Sequence, residues 1–270
     1  MRRRKEKSVF REYAESIIIA ILLALVMRQF VVQAFKIPSG SMEHTLEIGD
    51  HILVNKFLYT FTRPQLFDVI VFKFPWDKKR DFIKRVIALP GDRVQIRDQQ
   101  VYVNGQRLQE PYAQYNARRG YNGNFGPIVV PKKGDTAEIR RDGRLYLNGQ
   151  PIHIPDGPFF PLDSGRSRSK TGFEVFYGWL FADGTTLKTP SGPLPVKDDY
   201  YFALGDNRDN SKDGRYWGFV KRNRIKGKAF FIYWSWKRRG RWAGDIRWDR
   251  LGKLLGLGPV GRVLGGEKAT

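Results

Sequence analysis

Two serines flank a single glycine, Ser39-Gly40-Ser41, in the stretch Ile37-Pro38-Ser39-Gly40-Ser41-Met42-Glu43-His44-Thr45-Leu46. Glycine lets the backbone turn sharply, so that one hydroxyl is presented while the other and nearby N–H groups face the same space. A nucleophile with its own oxyanion donors has that layout. Pro-Ser-Gly-Ser is also an ordinary turn or helix cap, so the chemistry depends on a base elsewhere in the chain.

Histidine does not supply one. His44 lies three residues from Ser41 without a convincing acid partner, and the three histidines (44, 51 and 153) have no metal-ligand spacing. There are no cysteines, hence no disulfide and no Cys-based zinc site; no metal or cofactor is expected. The other candidate is a lysine on an apolar face. In Phe82-Ile83-Lys84-Arg85-Val86-Ile87-Ala88 the strand period of two places Lys84 with Phe82, Val86 and Ala88, and turns Arg85 the other way. Only a neutral amine can take a proton from serine, and lowering a lysine pKa from about 10.4 to near 7 requires a desolvation cost of roughly 4–5 kcal/mol. Lys56 and Lys73 alternate similarly, so periodicity alone does not choose among the three.

The elements that would position these groups begin with an anchor. Arg2, Arg3, Arg4, Lys5 and Lys7 open the chain, and residues 16–27 (SIIIAILLALVM) are uncharged and apolar on every face. These twelve residues rise only about 18 Å as a helix, but continuation through Gln29 to Phe35, with Arg28 snorkelling, reaches the ~30 Å of a bilayer core. The expectation is a basic cytoplasmic N-terminus (1–12) and a transmembrane signal-anchor helix (13–34), with the remainder outside the cytoplasm. A cleavable signal peptide is the rival, opposed by Arg28 and the long basic leader. The formal net charge of +21 calls for a polyanionic neighbour. Given the anchor, anionic phospholipid is expected rather than nucleic acid.

After Asp50 the chain becomes β-like at residues 51–59, 67–74 and 82–89. Residues 97–199 read as an inserted accessory β domain with a weak internal repeat: IRDQQVYVNGQRL from Ile96 matches IRRDGRLYLNGQPI from Ile139, each a hairpin ending in Asn-Gly. Within it, residues 163–171 are a basic loop, and Asp156 and Asp163 read as turn residues, as does Asp198. Then Tyr200 to Leu204 runs into a polar cluster, residues 205–220 (GDNRDNSKDGRYWGFV), dense enough to lock itself by hydrogen bonds. Residues 230–236 (FFIYWSW), followed by Lys237-Arg238-Arg239 and Arg241-Trp242, suit a surface resting among lipid headgroups, and residues 57–67 could dip similarly.

The Pro-Ser-Gly-Ser-Met box, Gly49-Asp50 with Val54 and Lys56, the Lys84-Arg85-Val86 to Pro90-Gly91-Asp92 box and the 205–220 box resemble, in order and spacing, those of bacterial type I signal peptidase. The resemblance covers the anchor and roughly residues 35–95 and 200–250. It implies a mainly β fold: an antiparallel catalytic domain (35–96 and 200–250) with the accessory insert and a tail (251–270), working as a monomer on preproteins bearing signal peptides. It implies Ser41 as nucleophile, Lys84 as general base, Ser39 as oxyanion donor, Ser211 orienting the amine, and an Asp213–Arg215 ion pair supported by Asp206. Phe35, Ile37, Pro38, Met42, Leu46 and Ile83 fall where the family lines pockets for small side chains. His44 stands in place of a common proline and Gly214 in place of a common serine. A repressor-type self-cleaving Ser–Lys protease would need a DNA-binding segment where this chain has an apolar helix. A basic aromatic β module without catalysis is the non-enzymatic alternative.

Overall fold

A computed structural model describes residues 9–26, 31–75, 77, 79–115, 124–141, 145–152, 191–237 and 245–256. The basic leader, Arg28, His153, the turn aspartates 156 and 163, the loop 163–171, Arg238, Arg239, Arg241, Trp242 and the tail beyond 256 lie outside these residues.

Helix α1 spans Val9–Val26, and strand β1 follows at Val32–Lys36. The helix expected to continue to residue 34 does not do so. Val32 to Lys36 instead pair antiparallel with β2 (Asp50–Asn55), from Val32 opposite Asn55 to Lys36 opposite His51. The β-branched start and the open edge of β2 favour the ladder over a further turn of helix. Eighteen residues rise about 27 Å, and among the described residues no helix is long and apolar enough to cross a membrane. Ile17, Ile18, Ile19, Ile21, Leu22 and Leu25 of α1 are nonetheless all more than half exposed.

The main sheet is antiparallel, with strand order β1-β2-β15-β3-β4-β13-β14; β3 is Val69–Lys73, β4 Asp81–Ala88, β13 Tyr200–Leu204, β14 Phe219–Lys221 and β15 Ile225–Ser235. The expected strand over 51–59 stops at Asn55, and a helical turn, α2 (Leu58–Phe61), follows with Asn55 Oδ1 accepting from the Leu58 N–H at 2.9 Å. β13 is buried on both faces. Its alternation sends Tyr200, Phe202 and Leu204 into one apolar cluster with Ile87, Val94 and Phe125, and Tyr201 and Ala203 into another with Phe72 and Trp217. A third cluster joins Met42 and Leu46 to Ile52, Val54, Val71 and Ile232.

The inserted region forms two four-stranded antiparallel sheets. The first, order β7-β6-β5-β8, uses β5 (Arg93–Arg97), β6 (Gln100–Val103), β7 (Gln106–Arg107) and β8 (Phe125–Val129). The second, order β11-β10-β9-β12, uses β9 (Thr136–Ile139), β10 (Leu145–Leu147), β11 (Gln150–Pro151) and β12 (Ser191–Pro195). The sequence repeat is a structural repeat. Asn104 and Asn148 both adopt left-handed φ (52° each) ahead of a glycine, and each side chain accepts from a strand N–H (Arg93 or Thr136, 2.8 Å) while donating to an aspartate (Asp92 at 2.8 Å, Asp135 at 2.9 Å).

Candidate active site

Residues 37–50 form a closed loop between β1 and β2. Ile37 N–H donates to Asp50 O (2.8 Å) and Gly49 N–H to Ile37 O (3.0 Å), and between them the chain turns through Glu43 N–H to Gly40 O and Leu46 N–H to Met42 O. Ile37, Met42 and Leu46 point inward and have almost no exposed surface, so they anchor this turn to the core beneath it, leaving Ser41 half-buried. Asp50 fixes the underside. Its carboxylate accepts from Arg250 (2.6 Å), Ser235 Oγ (2.6 Å), Arg247 (3.2 Å) and the Glu47 N–H (2.8 Å), and Arg250 also donates to Thr45 O at 3.0 Å.

Lys84 reaches the turn from β4, where it pairs opposite Ile70. It is 3% exposed, and its Nζ donates to Ser41 Oγ at 2.5 Å, although the two residues stand 43 apart in the chain. Burial drives the amine down to about 8, against the upward pull of the Asp213 and Asp206 carboxylates; the Arg215 charge adds to the lowering. Roughly a tenth of such amines are neutral at pH 7, against well under a thousandth for an ordinary lysine. The other alternating lysines differ: Lys73 faces Asp81 at 3.4 Å with a third of its side chain exposed, and Lys56 is half-buried.

The loop 205–215 closes the other side. Asn207 N–H donates to Ser41 O (3.2 Å), and its Nδ2 donates to Gly40 O (3.1 Å) and to Glu43 Oε2 (2.8 Å). Gly205 packs against both serines: a Cβ there would lie 2.2 Å from Ser211 Oγ and 2.4 Å from Ser41 O. Asp213 receives Arg215 through Nε and NH2 (both 2.9 Å) and the Gly205 N–H (3.0 Å). Burial alone would raise its pKa, but Arg215 and these hydrogen bonds hold it below the ordinary carboxylate range. Asp213 also caps a helical turn, α3 (Gly214–Trp217). Asp206 takes Arg85 bidentately (2.9 and 2.6 Å) and the Thr45 hydroxyl (2.5 Å).

One expected contact is absent among the described residues, and the remaining residues stand as follows. Ser211 Oγ is buried beside Gly205 but has no hydrogen-bond partner, so no bond to Lys84 is present; the amine donates to Ser41 instead. Ser39 and Pro38 are exposed, and Phe35 and Ile83 half-buried. Ile37, Met42 and Leu46 are buried in the core cluster beneath the turn. His44 is exposed at φ 76° and lines a cavity of about 390 Å³ with Thr45, Arg85, Tyr112 and Lys228, which neither Ser41 nor Lys84 lines. Sequence reasoning missed Arg85, Thr45 and Asn207 as supports, and also Arg208 with its partner Glu110 (2.5 Å). Arg85 had a signal, being a cation amid a strand of buried neighbours with one acidic loop to meet. Glu110 had none.

The chain as a whole is similar to proteins of known family. The family model described as "Signal peptidase, peptidase S26" matches residues 10–133 and 128–234. A signal peptidase I of Aquifex aeolicus is 35% identical over 237 residues, covering 84% of this chain and 85% of the relative. One from Pseudomonas aeruginosa is 33% identical, covering 83% and 72%, and one from Bacillus caldolyticus is 32% identical, covering 82% and 89%. The crystal structure of a signal peptidase I from Enterococcus faecalis aligns at 27% identity over 62% of this chain and 97% of that one, with a TM-score of 0.31.

Proposed function

This chain belongs to the signal peptidase family, peptidase S26, and is a serine endopeptidase that removes signal peptides, and from that premise we propose that Ser41 is its nucleophile and Lys84 its general base. The observation that carries the assignment is the 2.5 Å contact between a buried amine poised near 8 and a half-buried hydroxyl on a turn held from both sides.

In this reading the neutral Lys84 amine takes the Ser41 proton as Oγ attacks the scissile carbonyl. The oxyanion is met by the Ser41 N–H and the exposed Ser39 hydroxyl. Lys84 then returns its proton to the departing amine; in the second half it deprotonates a water that attacks the acyl carbon, the bond to Ser41 Oγ breaks, and the ammonium gives that proton back to Oγ. Ser211, buried and without a partner, is the hydroxyl available to steady the ammonium during these transfers. Asp213, Arg215 and Asp206 hold the loop that dries the site.

An extended substrate has a place to bind. β3 pairs with β4 from Asp81 to Arg85, but β13 pairs with β4 only from Arg85 to Ala88, so the other edge of Asp81–Lys84 carries no strand among the described residues. A substrate segment added to that edge would run past Ile83 to the nucleophile, with Phe35, Pro38 and Ile83 as the accessible walls above Ile37, Met42 and Leu46. By resemblance to the family these walls take small side chains, which supports cleavage after an Ala-x-Ala type site.

The working location is the outer side of the cytoplasmic membrane. The support is the apolar second half of α1, whose side chains the other described residues leave more than half exposed, together with Tyr233, Trp236 and Trp248 exposed near Arg247 and Lys237. Residues 35–96 and 200–250 make the catalytic unit, and 97–199 the accessory one, whose first sheet begins a few residues earlier, at Arg93.

The test is cleavage of a model preprotein by the full-length protein in detergent, with the new N-terminus mapped by mass spectrometry. Ser41→Ala and Lys84→Ala are each expected to abolish cleavage and to leave the folded state intact. Near-normal turnover by either purified variant would reject the dyad.

A further inference from the structure

The support of the catalytic loop does not end within the catalytic unit. Residues 110–115, in the inserted region just after β7, lie along its back. Gln114 N–H donates to Asp206 O at 2.7 Å, and Arg208 N–H donates to Gln114 O at 2.9 Å, a short parallel bridge between insert and loop. Beside it Arg208, only 2% exposed, sends Nε to Gly205 O (3.1 Å), NH1 and NH2 to the two Glu110 oxygens (3.1 and 2.5 Å), and NH1 to the Tyr115 hydroxyl (3.0 Å). The carbonyl of Arg208 in turn accepts from Arg215, the partner of Asp213. Tyr112 completes the seam: its ring lies 3.9 Å under the Arg85 guanidinium that holds Asp206, and its hydroxyl donates to Glu110 at 3.1 Å.

Glu110 therefore reaches both carboxylates that act on the Lys84 amine at one remove: through Arg208, whose carbonyl accepts from the Arg215 that holds Asp213, and through Tyr112, which stacks on the Arg85 that holds Asp206. We propose that Glu110 is a positioning residue for the Ser41–Lys84 dyad: by pinning Arg208 it keeps residues 205–211 closed over the amine and so keeps that amine dry. The inference rests on Ser41 and Lys84 being the nucleophile and base. A buried ion pair is costly to break from one side, because the abandoned charge must find water. Without Glu110, Arg208 would seek solvent and draw Gly205 outward, and Gly205 is the wall against which Ser41 O and Ser211 pack. Lys84 would then regain hydration, and its pKa would rise from about 8 toward 10.5.

The experiment is a pH profile of preprotein cleavage by full-length Glu110→Gln in detergent. The expected result has three parts: kcat lower by roughly 10- to 100-fold, KM within about threefold of the parent because no substrate contact is removed, and the acid limb of kcat/KM displaced upward by at least about half a pH unit. Glu110→Asp, which keeps the charge, is expected to bring the limb most of the way back. An unmoved limb overturns the proposal, and so does a loss confined to KM. A downward displacement also overturns it, since it would mean that Arg208's charge acts with the loop still closed. If Glu110→Gln does not yield folded protein, the pair Glu110→Met with Arg208→Met removes both charges at similar bulk and strands none, so it is expected to fold with its acid limb near the parent's; a limb displaced upward by about half a pH unit or more there would overturn the proposal, because no unpaired cation is left to draw Gly205 outward. Ser41→Ala run alongside separates the two assignments. Residual turnover there counts against the dyad, whereas an inert Ser41→Ala beside a parent-like Glu110→Gln counts against Glu110 alone.

Discussion

Gly205→Ala tests the geometry at its tightest point. The added methyl carbon would meet Ser41 O at 2.4 Å and the Oγ and Cβ of Ser211 at 2.2 and 2.6 Å, where ordinary contact begins at 3.4 Å. Neither wall yields by turning a side chain, because one is backbone and the other begins at a Cβ. Relief requires the Ser41 backbone and the 205–211 loop to part by about 1 Å, which would stretch the 2.5 Å contact between Lys84 and Ser41 beyond hydrogen-bond length. A misplacement of that size costs about 100-fold in turnover, while overpacking costs only about 1–3 kcal/mol of stability. The assay is single-turnover cleavage of a preprotein by the full-length protein, with thermal unfolding measured on the same sample. Gly192→Ala, at a position with open space around it, serves as the neutral control and is expected to stay within about twofold. If folded Gly205→Ala cleaves within threefold of the parent, then contact between loop and nucleophile does not set the rate, and a dyad clamped by the 205–211 loop is the wrong description of the site.

Two further expectations concern stability. Lys84→Met should stabilise the protein at pH 7: the folded-state value near 8 lies below the 10.5 of a free lysine, so the unfolded chain binds this proton more readily and stability rises with pH between those values. Below pH 8 the penalty stands in full, about 3 kcal/mol at 1.36 kcal/mol per pH unit, and urea unfolding of parent and variant should differ by that much at pH 7 but converge above pH 10.5. Asp50→Asn should destabilise by about 3–5 kcal/mol at pH 7, since Arg250 and Arg247 lose their carboxylate. Burial opposes charge on Asp50, yet Arg250, Ser235 and the Glu47 N–H outweigh it and hold its pKa below 3.8, so its contribution is present above that pH and lost as pH falls through the lower folded-state value. A variant that unfolds in acid along the parent's curve would contradict this.

The groups proposed as the site were legible as local patterns, but the patterns alone left Lys84 level with Lys56 and Lys73, and it was the order and spacing of four boxes that chose among them. Ser-Gly-Ser at a turn, a lysine on the apolar face of a strand and a polar cluster between hydrophobic strands are each visible within a dozen residues, and the Asn-Gly hairpins of the insert could be recognised by turn chemistry alone. What escaped was long-range. Arg85 was read as facing away from Lys84, and it does, but only the sheet order shows that away means toward Asp206. Ile37, Met42 and Leu46 were placed by the resemblance where the family lines its pockets, and their burial in the core beneath the turn is a matter of long-range packing that this correspondence does not carry. The helix extension to residue 34 was argued from length, and pairing with β2 took those residues instead. Glu110 belongs to a segment whose composition announces nothing.

The place of β15 has a consequence for how the enzyme comes into being. Synthesised after every other strand of the main sheet, it is the one that inserts between β2 and β3. The ribosome thus delivers the serine-bearing ribbon and the lysine-bearing ribbon early, yet they have no shared ladder until the eleven residues of β15 have emerged and zipped both. On the proposed dyad, a half-made chain therefore holds Ser41 and Lys84 on two ribbons that no strand of the main sheet yet joins.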